Sequence, residues 1–257
     1  MSINMPTADI SILTTSEGIR FGIYPAASIS KCAPTLFVLA HSIETTLTKE
    51  CFNRVGMRLA AEGTLVVSID LPCHGLDVLP GESAELKGWQ ERLISNYRMF
   101  ADFAMHFTCV LDHLLRRNWS DPGRLAVAGT SRGAFAGFHA AARERRLQSL
   151  IAFSPLIDLR KLSEFNAVSD DKRIISYDIN GLVSELTGRS VFLCIGNCDR
   201  RVGTEPVLAF NQHLVEANSA AGLDADVTLH VMPWRGHTTP LSLHDEAADW
   251  LRVRWGI

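Results

Sequence analysis

The chain has 257 residues, 47% of them hydrophobic and 21% charged, with a formal net charge of −3. Such a composition suits a globular chain that buries one sizeable core, and it excludes a disordered, fibrous or strongly basic nucleic-acid-binding protein. No basic segment followed by an apolar stretch opens the sequence, and no window reaches the roughly 18 uninterrupted apolar residues of a membrane span. A cytoplasmic protein with no membrane or nucleic-acid partner is expected.

The densest basic run, Arg143 to Arg146, is interrupted by Glu144 and falls where a helix should end. Cations there complement the helix dipole, which needs no phosphate ligand to explain it. Six cysteines do not make a disulfide scaffold in a chain of this length, and Cys32, Cys51, Cys73 and Cys109 stand alone. Cys194 and Cys198 are close but lack the second ligand pair of a zinc site, so no metal is expected.

In chain order, two short strands come first, near Ile10 to Leu13 and Ile19 to Tyr24, with a Ser-Glu-Gly turn between them. Short apolar runs then alternate with longer segments of helical period. The runs are Leu36 to Ala40, Leu65 to Ile69, Leu125 to Ala128, Leu150 to Phe153, Val191 to Ile195 and Val227 to Val231. Runs this apolar predict strands buried on both faces. Helices are expected at Lys49 to Ala61, Glu91 to Arg117, Gly133 to Arg143, Glu205 to Ala220 and Leu241 to Val253. The stripe Ile94, Tyr97, Phe100, Phe103, Phe107, Val110, Leu111 and Leu114 marks the core face of the second.

The alternation predicts an α/β fold: a mostly parallel sheet with helices on both faces and an N-terminal hairpin. No repeat or linker divides the chain, so a single domain over 1–257 is expected, with small insertions at 76–88 and 158–189. The second would lie over the C-terminal edge of the sheet, where open α/β sheets bind ligands. The tail from Leu251 to Ile257, with Trp250 and Trp255, suits either docking of the last helix or a homodimer patch.

Gly129-Thr130-Ser131-Arg132-Gly133 follows one expected strand directly and precedes a helix. The pentapeptide Gly-x-Ser-x-Gly arises by chance in roughly one chain in ten of this length, so its strand-turn-helix setting carries the signal. A serine hydroxyl needs a base to take its proton, and the base needs a carboxylate to orient it. His237, in the loop after the last expected strand, suits the base. Asp199, after the strand ending at Ile195, suits the carboxylate, with Asp158 as its competitor one strand earlier. Acyl transfer also needs two N–H donors for the oxyanion. The Arg132 N–H is expected as one and the Ile43 N–H as the other. His41 is expected as a loop histidine.

Five ordered landmarks resemble the α/β-hydrolase superfamily across nearly the whole chain: Ala40-His41-Ser42, Asp70-Leu71-Pro72-Cys73-His74-Gly75, the Ser131 pentapeptide, Gly196-Asn197-Cys198-Asp199 and Gly236-His237. The Gly-Thr-Ser-Arg-Gly elbow and Ser154-Pro155-Leu156 are most similar to the dienelactone-hydrolase and prolyl-oligopeptidase-like esterase branch. The resemblance implies the α/β-hydrolase fold and hydrolysis of a small or medium carboxylic ester through a Ser131 acyl-enzyme, with no cofactor. The same triad on an amide, thioester or carbon–carbon bond, or a catalytically silent ligand-binding member, are the alternatives. His41-Ser42 departs from the family's His-Gly, and Cys73 from its Pro-Gly-His-Gly. His41, Ser42, Glu44 and Cys73 are the candidate substrate-lining residues; Glu44 and Cys73 also have solvent-facing and buried structural readings respectively.

Overall fold

The computed structural model describes residues 10–26, 30–95, 98–224, 226–233 and 236–257. Tyr97 of the expected stripe, and Trp234 and Arg235 beside His237, lie outside them. The strands are β1 (Ser11–Thr14), β2 (Arg20–Tyr24), β3 (Ala33–Leu39), β4 (Leu65–Ser68), β5 (Ser120–Thr130), β6 (Ser149–Phe153), β7 (Ser190–Gly196) and β8 (Val227–Met232). They form one sheet in the order β1-β2-β4-β3-β5-β6-β7-β8. β2 runs antiparallel to β1 and β4, and every pair from β4 through β8 is parallel.

Because side chains alternate across a strand, each central strand feeds two cores. Phe37, Leu39, Val127, Leu150 and Leu193 pack on one face, against α3 (Glu85–Ile94), α4 (Met99–Arg116), α5 (Arg132–Arg143) and α8 (Thr204–Ala220). Leu36, Val38, Ala128, Ile151 and Phe192 pack on the other, against α1 (Ile43–Thr48), α2 (Glu50–Ala60) and α9 (Leu241–Trp255). The double burial explains why these strands are almost continuously apolar. Among the described residues no helix is long and apolar enough to cross a membrane.

Two local expectations change. The helix expected at Glu91 to Arg117 is two helices, α3 beginning already at Glu85 and α4 starting at Met99, and the two pack against each other. Trp89 meets Phe100 edge-on at 4.9 Å, whereas eleven residues along one straight helix would hold them roughly 16 Å apart. α1, rich in β-branched residues, was not expected as a helix. Burial of Ile43 and Leu47 overrides the weak propensity, and the Ser42 side chain caps the turn by accepting from the Thr45 N–H at 3.3 Å.

The stretch 158–189 forms three short 3-10 turns and the short helices α6 (Lys172–Ile175) and α7 (Val183–Leu186). Leu159, Phe165, Ile174 and Ile179 anchor it to the core. Residues 76–88 are held by Arg92, which bonds Asp77 and Glu82, each at 2.6 Å. Of the two readings of the C-terminal tail, docking is seen within the chain. Trp255 is 8% exposed and packs in the core under α9, and Trp250 meets Phe192 at 5.7 Å.

Candidate active site

Ser131 sits between β5 and α5 with φ +53° and ψ −114°, a conformation that L-residues avoid unless the surroundings enforce it. The surroundings do so. Its N–H donates to Phe153 O at 2.9 Å, and its carbonyl accepts from Ala134 and Phe135 at 3.1 and 3.2 Å. The flanking glycines are required by space: a Cβ on Gly133 would overlap the Leu39 carbonyl, and one on Gly129 the Ala134 backbone.

The loop after β7 carries Asp199, whose side chain is fully buried. Oδ1 accepts from the N–H groups of Arg201 and Val202 at 2.8 and 3.2 Å, which leaves Oδ2 for His237 Nδ1 at 2.8 Å. His237 Nε2 lies 2.8 Å from Ser131 Oγ. Burial raises the Asp199 carboxyl, but the imidazole and the two N–H donors outweigh it and hold the group below its ordinary value. A carboxylate so held keeps Nδ1 as the protonated nitrogen and Nε2 free to accept the serine proton.

The His237 loop is tied down beside the elbow. Thr239 Oγ1 lies 3.2 Å from Ser154 Oγ, on a residue that itself has φ +42°. Asp158, the competing acid, is engaged elsewhere. It caps a 3-10 turn through the Arg160 N–H at 2.9 Å and bonds the Arg160 guanidinium at 2.8 Å.

On the opposite side of Ser131 the expectations fare less well. The Arg132 N–H heads α5, where an N–H has no intrahelical acceptor. The Ile43 N–H heads α1 in the same way but donates to Asp70 Oδ1 at 2.8 Å, which removes it as a free donor. The His41 N–H is also taken, by Thr46 Oγ1 at 2.9 Å. Among the described residues no acceptor meets the Ser42 N–H between them.

Of the candidate lining residues, Cys73 is fully buried, and burial pushes its thiol up to about 12, so it does not line an accessible pocket. The Glu44 carboxylate pairs with Arg20, which also holds Asp70. Ser42 is 8% exposed and serves as a helix cap. His41 remains partly open, its Nε2 3.0 Å from Glu85 Oε1.

Three side chains here escaped the sequence reading. Glu85 Oε2 accepts from Arg132 Nη1 at 2.6 Å, and that guanidinium also reaches His74 Nε2 at 2.9 Å. His74 lay inside the Asp70–Gly75 landmark without a role. Glu85 carried no signal at all, since its partners are 44 and 47 residues away in the chain.

No family model and no curated protein matches the sequence. Solved structures do match the fold. TT1662 from Thermus thermophilus aligns with a TM-score of 0.71 at 20% identity, over 95% of this chain and 97% of that one. A cold-adapted esterase from an Arctic intertidal metagenomic library aligns at 0.67 and 19% identity, over 95% and 92%. Dipeptidyl peptidase 4 from Porphyromonas gingivalis aligns at 0.69 and 15% identity over 95% of this chain, which spans only 35% of that larger protein. With its sheet order, its strand-elbow-helix junction and these likenesses, the chain has the α/β-hydrolase fold.

Proposed function

We propose that the protein is a serine hydrolase cleaving a small or medium carboxylic ester. The hydrogen-bonded line from Asp199 through His237 to Ser131, with both links at 2.8 Å on a strained elbow, carries the reading. Ser131 Oγ attacks the ester carbonyl while His237 Nε2 takes its proton, and Asp199 stabilises the imidazolium formed. The same imidazolium then protonates the leaving alkoxide. Water, activated by His237, releases the acid from the acyl-enzyme.

Charge develops on the carbonyl oxygen in both steps, and N–H donors preset toward it lower the barrier. We assign the Arg132 N–H and, in place of Ile43, the Ser42 N–H, because its two neighbours already have acceptors. Ester rather than peptide cleavage is favoured by the neighbours' architecture: the esterase is covered along 92% of its length, the peptidase along 35%.

Labelling with a fluorophosphonate tests the nucleophile, alongside turnover of a p-nitrophenyl ester series. Wild type should label and turn over, and Ser131→Ala should do neither, with turnover lost by about 10⁴-fold or more. Labelling that persists in Ser131→Ala, or fails in folded wild type, would sink the proposal.

A further inference from the structure

Glu85 belongs to no triad, yet its carboxylate touches both walls of the pocket in which the oxyanion would form. Oε2 holds the guanidinium of Arg132, the residue immediately after Ser131, at 2.6 Å. Oε1 accepts from His41 Nε2 at 3.0 Å, and His41 immediately precedes Ser42 in the loop after β3. The two residues assigned as oxyanion donors therefore sit on, or next to, the two partners of one carboxylate.

The carboxylate is aimed by its backbone. Glu85 opens α3 with φ +57°, a left-handed conformation that disfavours non-glycine residues by about 1 kcal/mol, and its N–H is fixed on Cys73 O at 2.7 Å. Cys73 is itself left-handed at φ +57°, and Gly88 leaves the room in which its side chain packs: a Cβ there would lie 2.9 Å from Sγ. The Asp70–Gly75 loop and the head of α3 thus converge on one acidic side chain.

Arg132 is held from a second direction. His74 is buried, its Nδ1 donates to Pro72 O at 2.7 Å, and Nε2 is left as a lone pair facing Arg132 Nη1 at 2.9 Å. Burial pushes the imidazole down to about 4, so it stays a neutral acceptor and does not repel the guanidinium. His41, His74 and Glu85 bring three ligand atoms within 4.8 Å of one another, a donor set that would suit a divalent cation. The Arg132 guanidinium supplies the positive charge there, bonded to two of the three.

We infer that Glu85 is a positioning residue for the oxyanion pocket, clasping Arg132 and His41 together so that the N–H groups on the elbow and on the first loop keep a fixed separation. The inference rests on the serine-hydrolase reading. A clasp of this kind acts on the transition state more than on bound substrate, so its loss lowers kcat with little change in KM.

Glu85→Gln keeps the volume but offers one acceptor oxygen where two donors arrive, so one wall is released. Because the side chain is 47% exposed, the variant should fold, which thermal unfolding checks. With p-nitrophenyl acetate, kcat should fall about tenfold with KM within about twofold. Affinity for an aryl trifluoromethyl ketone, whose hemiketal oxyanion occupies the same donors, should fall by the same factor as kcat/KM. In an Arg132→Ala background, Glu85→Gln should add almost nothing.

Unchanged kcat and ketone affinity in folded Glu85→Gln, or a loss carried wholly by KM, would overturn the clasp while leaving the triad standing. The fluorophosphonate separates the two ideas. Wild type and Glu85→Gln should both label to completion on Ser131, the variant more slowly; a wild type that does not label at all would defeat the clasp together with the hydrolase reading.

Discussion

The two sides of Ser131 are built differently. On one side, Asp199 and His237 stand on loops at the ends of β7 and β8, and each makes its contact with a side-chain atom. On the other, the groups assigned in the proposal are backbone N–H donors after β3 and at the head of α5, and whether each is free depends on which distant acceptor reaches it first. Ile43 shows the difference. It lies where the donor was expected, but Asp70, 27 residues later, already holds its N–H. The Asp199–His237–Ser131 line can be anticipated from residue types in order, whereas which N–H groups stay free is settled by hydrogen-bond competition.

The largest test of this contrast is on the acid. Asp199→Asn should lower kcat/KM by about 10⁴-fold, because an amide cannot hold the required imidazole tautomer, while Asp158→Asn should stay within about twofold. A p-nitrophenyl ester assay of both variants decides it, and a larger loss in Asp158→Asn would show that the triad side too is misassigned.

Next in size is the first-loop donor. Ser42 has φ −68°, which a proline ring accommodates, so Ser42→Pro removes the N–H without changing that angle. Ser42→Ala serves as the control for the lost cap, which costs about 1 kcal/mol of stability. Relative to Ser42→Ala, kcat in Ser42→Pro should fall by about 10²–10³-fold. Equal rates would return the donor to another N–H.

Acid should act on both sides at once, through stability. Burial holds His74 and His244 at about 4 and His139 at about 3. These folded values lie below the unfolded value, so the unfolded chain binds more protons between the two. Stability is therefore full above about pH 6.5 and declines as pH falls toward 4, by roughly 3 kcal/mol for each histidine. Urea unfolding at stepped pH should show net proton uptake near pH 5, and replacing His74 by Gln, in a chain that still folds, should reduce that uptake by close to one proton.

The smallest expected effect concerns Cys73. A fully buried thiol pushed up to about 12 is almost wholly protonated at pH 8, so iodoacetamide should alkylate the exposed Cys32, Cys51 and Cys198 but leave Cys73 unmodified in the native protein, as peptide mass mapping would show. Rapid alkylation of Cys73 would mean that the pocket wall opens to solvent.

How much of this was legible in the amino-acid order follows from the range of the interactions. The eight strands, the N-terminal hairpin and the strand-elbow-helix junction at Ser131 follow from patterns a few residues long: apolar runs, turn residues and glycines where side chains would collide. The convergence of Asp199 and His237 on Ser131 was legible for the same reason, since each follows an identifiable strand and makes its contact with its own side chain. That α3 and α4 are separate helices was not, because the apolar stripe spans both and only the packing of Trp89 on Phe100 reveals that they are not one straight helix. Nor was the helix after Ser42, whose β-branched residues are helical because Ile43 and Leu47 are buried. The fate of the Ile43 N–H and the grip of Glu85 on His41 and Arg132 belong wholly to the tertiary structure, for a hydrogen bond between residues 27 to 47 positions apart exists only once the sheet has brought its loops to one edge.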